Sequence, residues 1–260
     1  MPTSTHSTEM AEPTRHIELE RVFNFRDLGG YPTRDGRTTK WQTLFRADGI
    51  HRLSEADVDT LRPLGLRTII DLRTPDEIEE HGRFPLDAYA ASASYHHQPV
   101  LDVIWTPEQI ESFAESPTFL VDRYREMLVI GDRALGESLR LFGAGETYPA
   151  VFHCAAGKDR TGILAALVLG LLGVPDEVIA EDYALSRDGM VRMIEWVKEN
   201  VPEARERLSA APTALMSAEP DTILALLDHI RAEQGSLEGY VLTLGVEADH
   251  IAGMQAALLV

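Results

Sequence analysis

Cysteine is almost missing from this 260-residue chain, and Cys154 stands alone. An intramolecular disulfide is therefore excluded, and oxidation is not what holds the fold together. Long apolar runs are missing as well. The longest, Ile163–Val174, has twelve residues, well short of the ~20 that cross a bilayer as a helix. Met1–Arg15 holds no apolar signal core, so no conventional secretory leader is read there and a cytoplasmic location is expected. Basic residues are scarce: 24 Lys and Arg stand against 42 Asp and Glu, a formal net charge of −18. That field repels polyanions and excludes nucleic acid as a partner unless a compact basic patch overrides it. What remains, 44% hydrophobic and 25% charged, is the composition of an ordinary globule and not of a disordered, collagen-like or disulfide-scaffold chain. At this length a core can be buried without help from metals or disulfides.

Met1–Arg15 mixes Ser, Thr, Pro and charge without periodicity and reads as a disordered lead-in to a single domain over 16–260. Ile17–Phe25 alternates like a strand, and Asp27-Leu-Gly-Gly30 breaks it. The Asp-Gly of Thr33–Gly36 marks a hairpin turn, with Thr38–Arg46 as the return strand. Further short strands are read at Leu66–Leu72, Ala93–Val100 and Pro149–Cys154. Ser54-Glu-Ala-Asp57 is a helix N-terminus. Helical spacing recurs over Pro107–Ala114, Phe119–Val129, Asp132–Phe142, Thr161–Leu172 and Asp176–Ser186, and through most of the chain from there to Leu258. Strands alternating with helices predict an α/β fold: a mostly parallel central sheet flanked by helices, with a largely helical C-terminal half.

The chemistry is concentrated in Val151-Phe-His-Cys-Ala-Ala-Gly-Lys-Asp-Arg-Thr-Gly162, a strand, a short loop and a helix start. Such a loop turns backbone N–H groups inward, and the helix N-terminus adds partial positive charge, which together make a cradle for phosphate. Ala155, Ala156, Gly157, Lys158 and Thr161 would line it. Arg160 closes it with a planar fork that binds two phosphate oxygens at once. Cys154 lies where it would sit beneath the phosphorus, and surroundings of this kind favour the nucleophilic thiolate. The plain alternative makes Cys154 a small buried apolar residue, but a core filler does not require Gly157, Arg160 and Thr161 in a strand–loop–helix frame. A nucleotide-binding Walker loop is excluded, because Gly157-Lys158 is followed by Asp159 where Ser or Thr is needed.

Cys154 to Arg160 matches the Cys-x5-Arg signature, and His-Cys-Ala-Ala-Gly-Lys-Asp-Arg-Thr-Gly resembles the bacterial tyrosine/serine phosphatases related to mycobacterial protein tyrosine phosphatase B. Asn24-Phe-Arg-Asp-Leu-Gly-Gly30, Leu44-Phe-Arg-Ala-Asp48, Ile70-Asp-Leu-Arg73, Glu181-Asp-Tyr183 and Gly235–Tyr240 resemble other blocks of that family in order, over roughly Ile17–Val260. The low-molecular-weight phosphatases, whose loop is N-terminal, match poorly. The resemblance implies a cysteine-phosphatase fold and a phosphomonoester hydrolase needing no cofactor. Cys154 attacks phosphorus, a phosphocysteine forms, and water releases inorganic phosphate. Arg160 and the loop amides would stabilise the charge on the equatorial oxygens, and Thr161 would hydrogen-bond the departing thiolate. Phosphorylated proteins are the implied substrates, phosphotyrosine first, with phosphoserine, phosphothreonine and phosphoinositides beside it. Lys158 resembles the basic loop residue of phosphoinositide phosphatases, although Ala155 stands where those enzymes often carry a second Lys.

Other superfamily members carry the general acid on a separate mobile loop, and no Trp-Pro-Asp occurs here. In the family resembled, the acid is the Asp inside the signature, here Asp159; Asp102, on an expected strand-end loop, is the runner-up. Asp71 serves either as acid or as anchor for a basic side chain, its plain reading being an ion pair with Arg46 or Arg73. His153 either orients the loop or is a satisfied core histidine. The resemblance also implies a helical lid, to be sought over 187–220; a surface helix packed on the core reads equally well there. His96-His97, His51 and His81 lack any metal-ligand spacing, so no metal is expected. Two short C-terminal helices joined near Gly245 mimic a helix-turn-helix, but no Lys/Arg-rich second helix supports DNA binding. A phosphate-recognition module without turnover stays open beside the enzyme; Arg160 and Thr161 argue against a sulfurtransferase.

Overall fold

Five short strands form the centre of the computed structural model, which describes residues 14–89, 92–101, 118–202 and 217–260. They are β1 (Arg26–Asp27), β2 (Leu44–Ala47), β3 (Thr68–Asp71), β4 (Ser94–His97) and β5 (Ala150–His153), in the sheet order β1-β2-β5-β3-β4. β2, β5, β3 and β4 run parallel, and β1 is antiparallel to β2. Every residue of β2, β3 and β5 is buried, as parallel strands covered on both faces must be.

Alternation along these strands sorts their side chains between two cores. Leu44, Ile70, Ala150 and Phe152 face the larger one, with α4 (Phe119–Ile130), α5 (Asp132–Gly143), α6 (Asp159–Leu171), α7 (Asp176–Ala184), α9 (Pro220–Gln234), α10 (Leu237–Thr243) and α11 (Ala248–Leu258). Phe45, Ala47, Ile69 and Val151 face the smaller, under α1 (Glu55–Leu61) and the single turn α3 (Leu86–Tyr89). Ten of the thirteen residues of α6 are buried, which explains why its sequence is apolar on all sides. Among the described residues the other α-helices are α2 (Pro75–His81) and α8 (Ser186–Asn200).

The α/β architecture, the parallel sheet and the helical C-terminal half agree with the sequence. Two local expectations fail for identifiable reasons, and one helix goes unread. Ile17–Phe25 is no strand, because carboxylates capture its backbone: Asp57 accepts from the N–H groups of Glu20 and Arg21, and Asp48 from those of Phe23 and Asn24. The return strand begins only at Leu44, since Gln42 adopts a left-handed φ of 56° and its N–H donates to Asp27. Helix α2 was not expected, although Thr74-Pro-Asp-Glu77 supplies Pro in the first turn and a complete capping box. Arg15, assigned by composition to the lead-in, is held by Asp27 and lies 3.7 Å over the Tyr31 ring. Among the described residues no helix is long and apolar enough to cross a membrane.

Candidate active site

β5 ends at His153, and the chain turns through Cys154–Lys158 straight into α6. The loop therefore sits at the carboxyl end of the parallel strands, where such sheets hold ligands. Cys154 is 1% exposed at its base. Lys158, at the N-cap of α6, makes no side-chain cap, and first-turn N–H groups of a helix are a natural seat for an anion.

The loop's shape is enforced from outside. The Gly49 N–H donates to the Ala155 carbonyl at 3.0 Å, Asn24 Nδ2 to those of Ala156 and Gly157 at 3.3 and 3.0 Å, and Arg46 Nη2 to that of Gly157 at 2.8 Å. In a trans peptide the N–H points opposite to the C=O. The N–H groups of Ala156, Gly157 and Lys158 therefore turn away from this outer frame, toward the concave side. Gly157 is required twice over: its φ is +66°, and a Cβ would stand 2.6 Å from the Ala47 carbonyl oxygen.

Arg160, in the first turn of α6, is gripped by Glu77 at 2.5 Å (Nη1–Oε2) and 2.9 Å (Nη2–Oε1). Glu77 Oε2 also accepts from the Thr74 N–H at 2.7 Å, completing the cap of α2. One carboxylate thus closes the α2 N-terminus and aims the guanidinium. Burial alone would raise the Glu77 carboxyl, but its bonds to Arg160 hold it below the ordinary carboxylate value. Burial likewise works against the charge on Arg160, and Glu77 and Cys154 together raise it above the usual guanidinium range. Sequence reasoning missed Glu77; the Thr74-Pro-Asp-Glu77 capping signature was the available signal.

Behind Cys154 the sheet register sets Asp71 opposite His153. Asp71 is fully buried, pairs through both oxygens with Arg73 and accepts from Tyr95 Oη at 2.7 Å. Of its alternatives, the geometry is that of the ion pair with Arg73; Arg46 pairs instead with Asp182 at 2.5 Å. His153 Nε2 lies 3.4 Å from Asp71 Oδ2 without an aligned hydrogen bond. Burial pushes His153 below its usual value against the pull of Asp71, so the ring is neutral at pH 7. The Thr161 hydroxyl is buried and finds no partner among the described residues.

Asp159, at the first position of α6, accepts from Tyr124 Oη at 2.6 Å. Tyr183 Oη stands 2.7 Å from Tyr124 Oη and completes a short chain of hydroxyls. Burial, then the Asp159 charge, hold Tyr124 protonated far above neutral pH. Lys158 is buried rather than open to a ligand: its Nζ donates to the Ser217 carbonyl at 2.9 Å and lies 3.4 Å from Asp159. Asp102 lies outside the described residues. Of the expected lid, residues 203–216 also lie outside them, while the start of α8 is packed tightly. Ser186 accepts from Arg26, Arg192 donates to the Phe23 carbonyl, and a Cβ on Gly189 would meet Asn24 at 2.9 Å. Among the described residues no group of three or more His, Cys, Asp or Glu could hold a metal ion.

Residues 17–260 match the profile of a group described as the tyrosine phosphatase family. The chain is 29% identical over 282 residues to the "triple specificity protein phosphatase PtpB" of Mycobacterium tuberculosis, covering 93% of this chain and 98% of that protein. It is 28% identical over 222 residues to a tyrosine-protein phosphatase of Nostoc commune, covering 82% of this chain and 73% of that one. Against a solved structure of the Siw14 catalytic core the identity is 13% and the TM-score 0.39, over 85% of this chain and 96% of that one, too loose a likeness to argue from.

Proposed function

This chain belongs to the tyrosine phosphatase family and is a protein tyrosine phosphatase, and we propose that it works through a phosphocysteine formed at Cys154. The carrying observation is the outer frame on the Ala155, Ala156 and Gly157 carbonyls, which turns three peptide N–H groups inward around the only cysteine. The Cys154 thiolate attacks phosphorus as the P–O bond to the leaving group breaks, and Asp159 gives that oxygen its proton. Arg160 has five N–H donors, of which Glu77 engages two; the others and the loop amides hold the equatorial oxygens as charge develops. Water then attacks the phosphocysteine, Asp159 takes its proton, and inorganic phosphate leaves. Thr161 donates its hydroxyl to the departing thiolate. His153, neutral and buried, fixes the end of β5 and does not act as base.

Phosphotyrosine is the primary substrate. The words triple specificity in the mycobacterial relative's name support a range wider than phosphotyrosine, and phosphoserine, phosphothreonine and phosphoinositides are the further substrates we propose. A catalyst that depends on one free thiol suits the reducing cytoplasm. The test is phosphate release from phosphotyrosine, phosphoserine and phosphothreonine peptides and from monophosphorylated phosphoinositides, with Cys154→Ser as the blank. Release by the wild type that vanishes in the variant establishes the mechanism. Binding of phosphopeptide without release would make the chain a recognition module.

A further inference from the structure

The charges around the loop do not cancel evenly. Arg160 is matched by Glu77, Lys158 by Asp159, Arg73 by Asp71 and Arg52 by Asp48. Each of these pairs is neutral as a unit. Arg26 and Arg46 are different, because both are at most 2% exposed and they share one carboxylate, Asp182. Both Asp182 oxygens are engaged: Oδ1 accepts from Arg26 Nε and Tyr31 Oη at 3.0 and 2.8 Å, and Oδ2 from Arg46 Nη1 at 2.5 Å. Among the described residues no second acid pairs with either arginine, and Arg46 Nε is left without a hydrogen-bond partner. One full positive charge is therefore held inside the protein. Burial, and then repulsion by Arg26, push Arg46 down to about 10, still far enough above neutrality for its guanidinium to be charged at pH 7. A cluster carrying uncompensated charge inside a protein is costly, so its position needs a reason.

The position is directly behind the loop. Arg46 Nη2 donates to the Gly157 carbonyl at 2.8 Å, and the N–H of that same peptide, on Lys158, faces the other way. The guanidinium therefore polarises a peptide whose donor end is turned toward the bound anion. Strand alternation puts Arg46 on the face of β2 that Leu44 uses, the face covered by α6 and α7, and Asp182 comes from α7.

We infer that Arg46, acting through the Gly157 peptide, supplies the surplus positive charge that draws the phosphate dianion into the loop. This rests on the phosphatase reading of the site and adds to it a positioning residue that never touches the substrate. It differs from a plain strut, in which Arg46 matters only for the hydrogen bond that shapes the loop.

Arg46→Lys keeps the charge and loses the fork, whereas Arg46→Gln loses the charge. Because Cys154 is the only cysteine, its alkylation can be followed without interference. Iodoacetate and iodoacetamide are nearly isosteric, so access cancels in the ratio of their rates and the local potential remains. The iodoacetate-to-iodoacetamide ratio is expected to stay near wild type in Arg46→Lys and to fall at least tenfold in Arg46→Gln, since one unit charge about 12 Å away at an effective dielectric of about 20 already changes a rate about tenfold. Inhibition by inorganic phosphate should weaken in parallel. Asp182→Asn, which leaves both arginines unmatched, should raise the ratio, and it decides the matter with Arg46→Lys if Arg46→Gln does not fold. A ratio that drops in Arg46→Lys, or does not rise in Asp182→Asn, overturns the inference. Failure of the phosphatase reading would show separately, as a wild type that releases no phosphate from a phosphotyrosine peptide.

Discussion

Replacing Glu77 by glutamine removes one charge and almost no volume, and it should damage stability and catalysis together. The carboxylate holds Arg160 at 2.5 and 2.9 Å and accepts the Thr74 N–H at 2.7 Å. Glutamine keeps one acceptor oxygen but presents an NH2 to the guanidinium, so a nearly buried cation loses its counter-charge. Breaking such a pair from one side costs about 3–5 kcal/mol. The lower end, about 3 kcal/mol, is expected here, because the Arg160 side chain is 12% exposed and water can enter as the pair opens. At roughly 2–4 °C per kcal/mol for a chain of this size, the melting temperature should fall by about 6–12 °C. Arg160 would then no longer be aimed, and a misplacement of about 1 Å lowers kcat/KM by ~100-fold. Thr74→Ala separates the two jobs of Glu77: it removes the hydroxyl half of the cap, worth about 1 kcal/mol, and leaves the ion pair intact. Thermal melts and kinetics on a phosphotyrosine peptide, run on both variants, decide the matter. A glutamine variant with wild-type kcat/KM, or a Thr74→Ala variant equally inactive, would refute the claim that Glu77 aims the arginine.

Gly157→Ala should be worse than an ordinary loop substitution. The left-handed φ costs about 1–2 kcal/mol for a residue with a Cβ, and that Cβ meets the Ala47 carbonyl oxygen at 2.6 Å. Activity should be lost even where circular dichroism shows a folded chain; an active variant would mean that the loop has room to move. Tyr124→Phe removes the hydroxyl that stabilises the Asp159 carboxylate. Its kcat on a phosphotyrosine peptide should fall several-fold with KM little changed, because Asp159 is no longer held in place, and an unchanged kcat would assign Tyr124 to packing alone. Stability should decline with acid in two stages, read from urea midpoints against pH. His153 is pushed down by burial; His51 is pushed down to about 2 by burial and then Arg73. The unfolded chain therefore takes up protons below about 6.5 that the native state refuses, and stability falls from there. Asp71, Glu77 and Asp182 are held below their ordinary values despite burial, by their cationic partners. Their stabilisation is present above about 4 and is lost as the pH drops through the folded values. A midpoint flat from pH 7 to 5 would contradict the histidine part.

The sequence was most readable where residues act locally. The Cys154 loop, Arg160 and the helix behind them lie within Cys154–Leu171, so spacing alone marks them as one unit. It was least readable where a long-range carboxylate decides the backbone. Ile17–Phe25 has the alternation of a strand, and only Asp48 and Asp57, far along the chain, take its N–H groups away. Glu77 and Asp182 are limited in the same way: the capping signature marks Glu77 only as a helix cap, and Glu181-Asp-Tyr183 marks Asp182 only as part of a block. Nothing in an acidic residue on a helix announces which distant arginine it will meet. Lys158 shows the converse limit: its place in the loop suggests contact with ligand, whereas the path of the chain near Ser217 turns it inward.

The frame that shapes the loop has a bearing on when activity can first arise. Asn24 reaches Gly157 across 133 residues, Arg46 reaches Asp182 across 136, and Arg160 reaches Glu77 across 83. A ribosome that has just released Cys154 has made a thiol with no cradle, because α6 and Asp182 are still to come. The nascent chain is therefore expected to be inert toward phosphate esters until Asp182 of α7 reaches Arg26 and Arg46 of β1 and β2. Contacts of such separation are slow to form, so competence should appear late and all at once. A truncation ending before α7 should retain the cysteine and the arginine and dephosphorylate nothing.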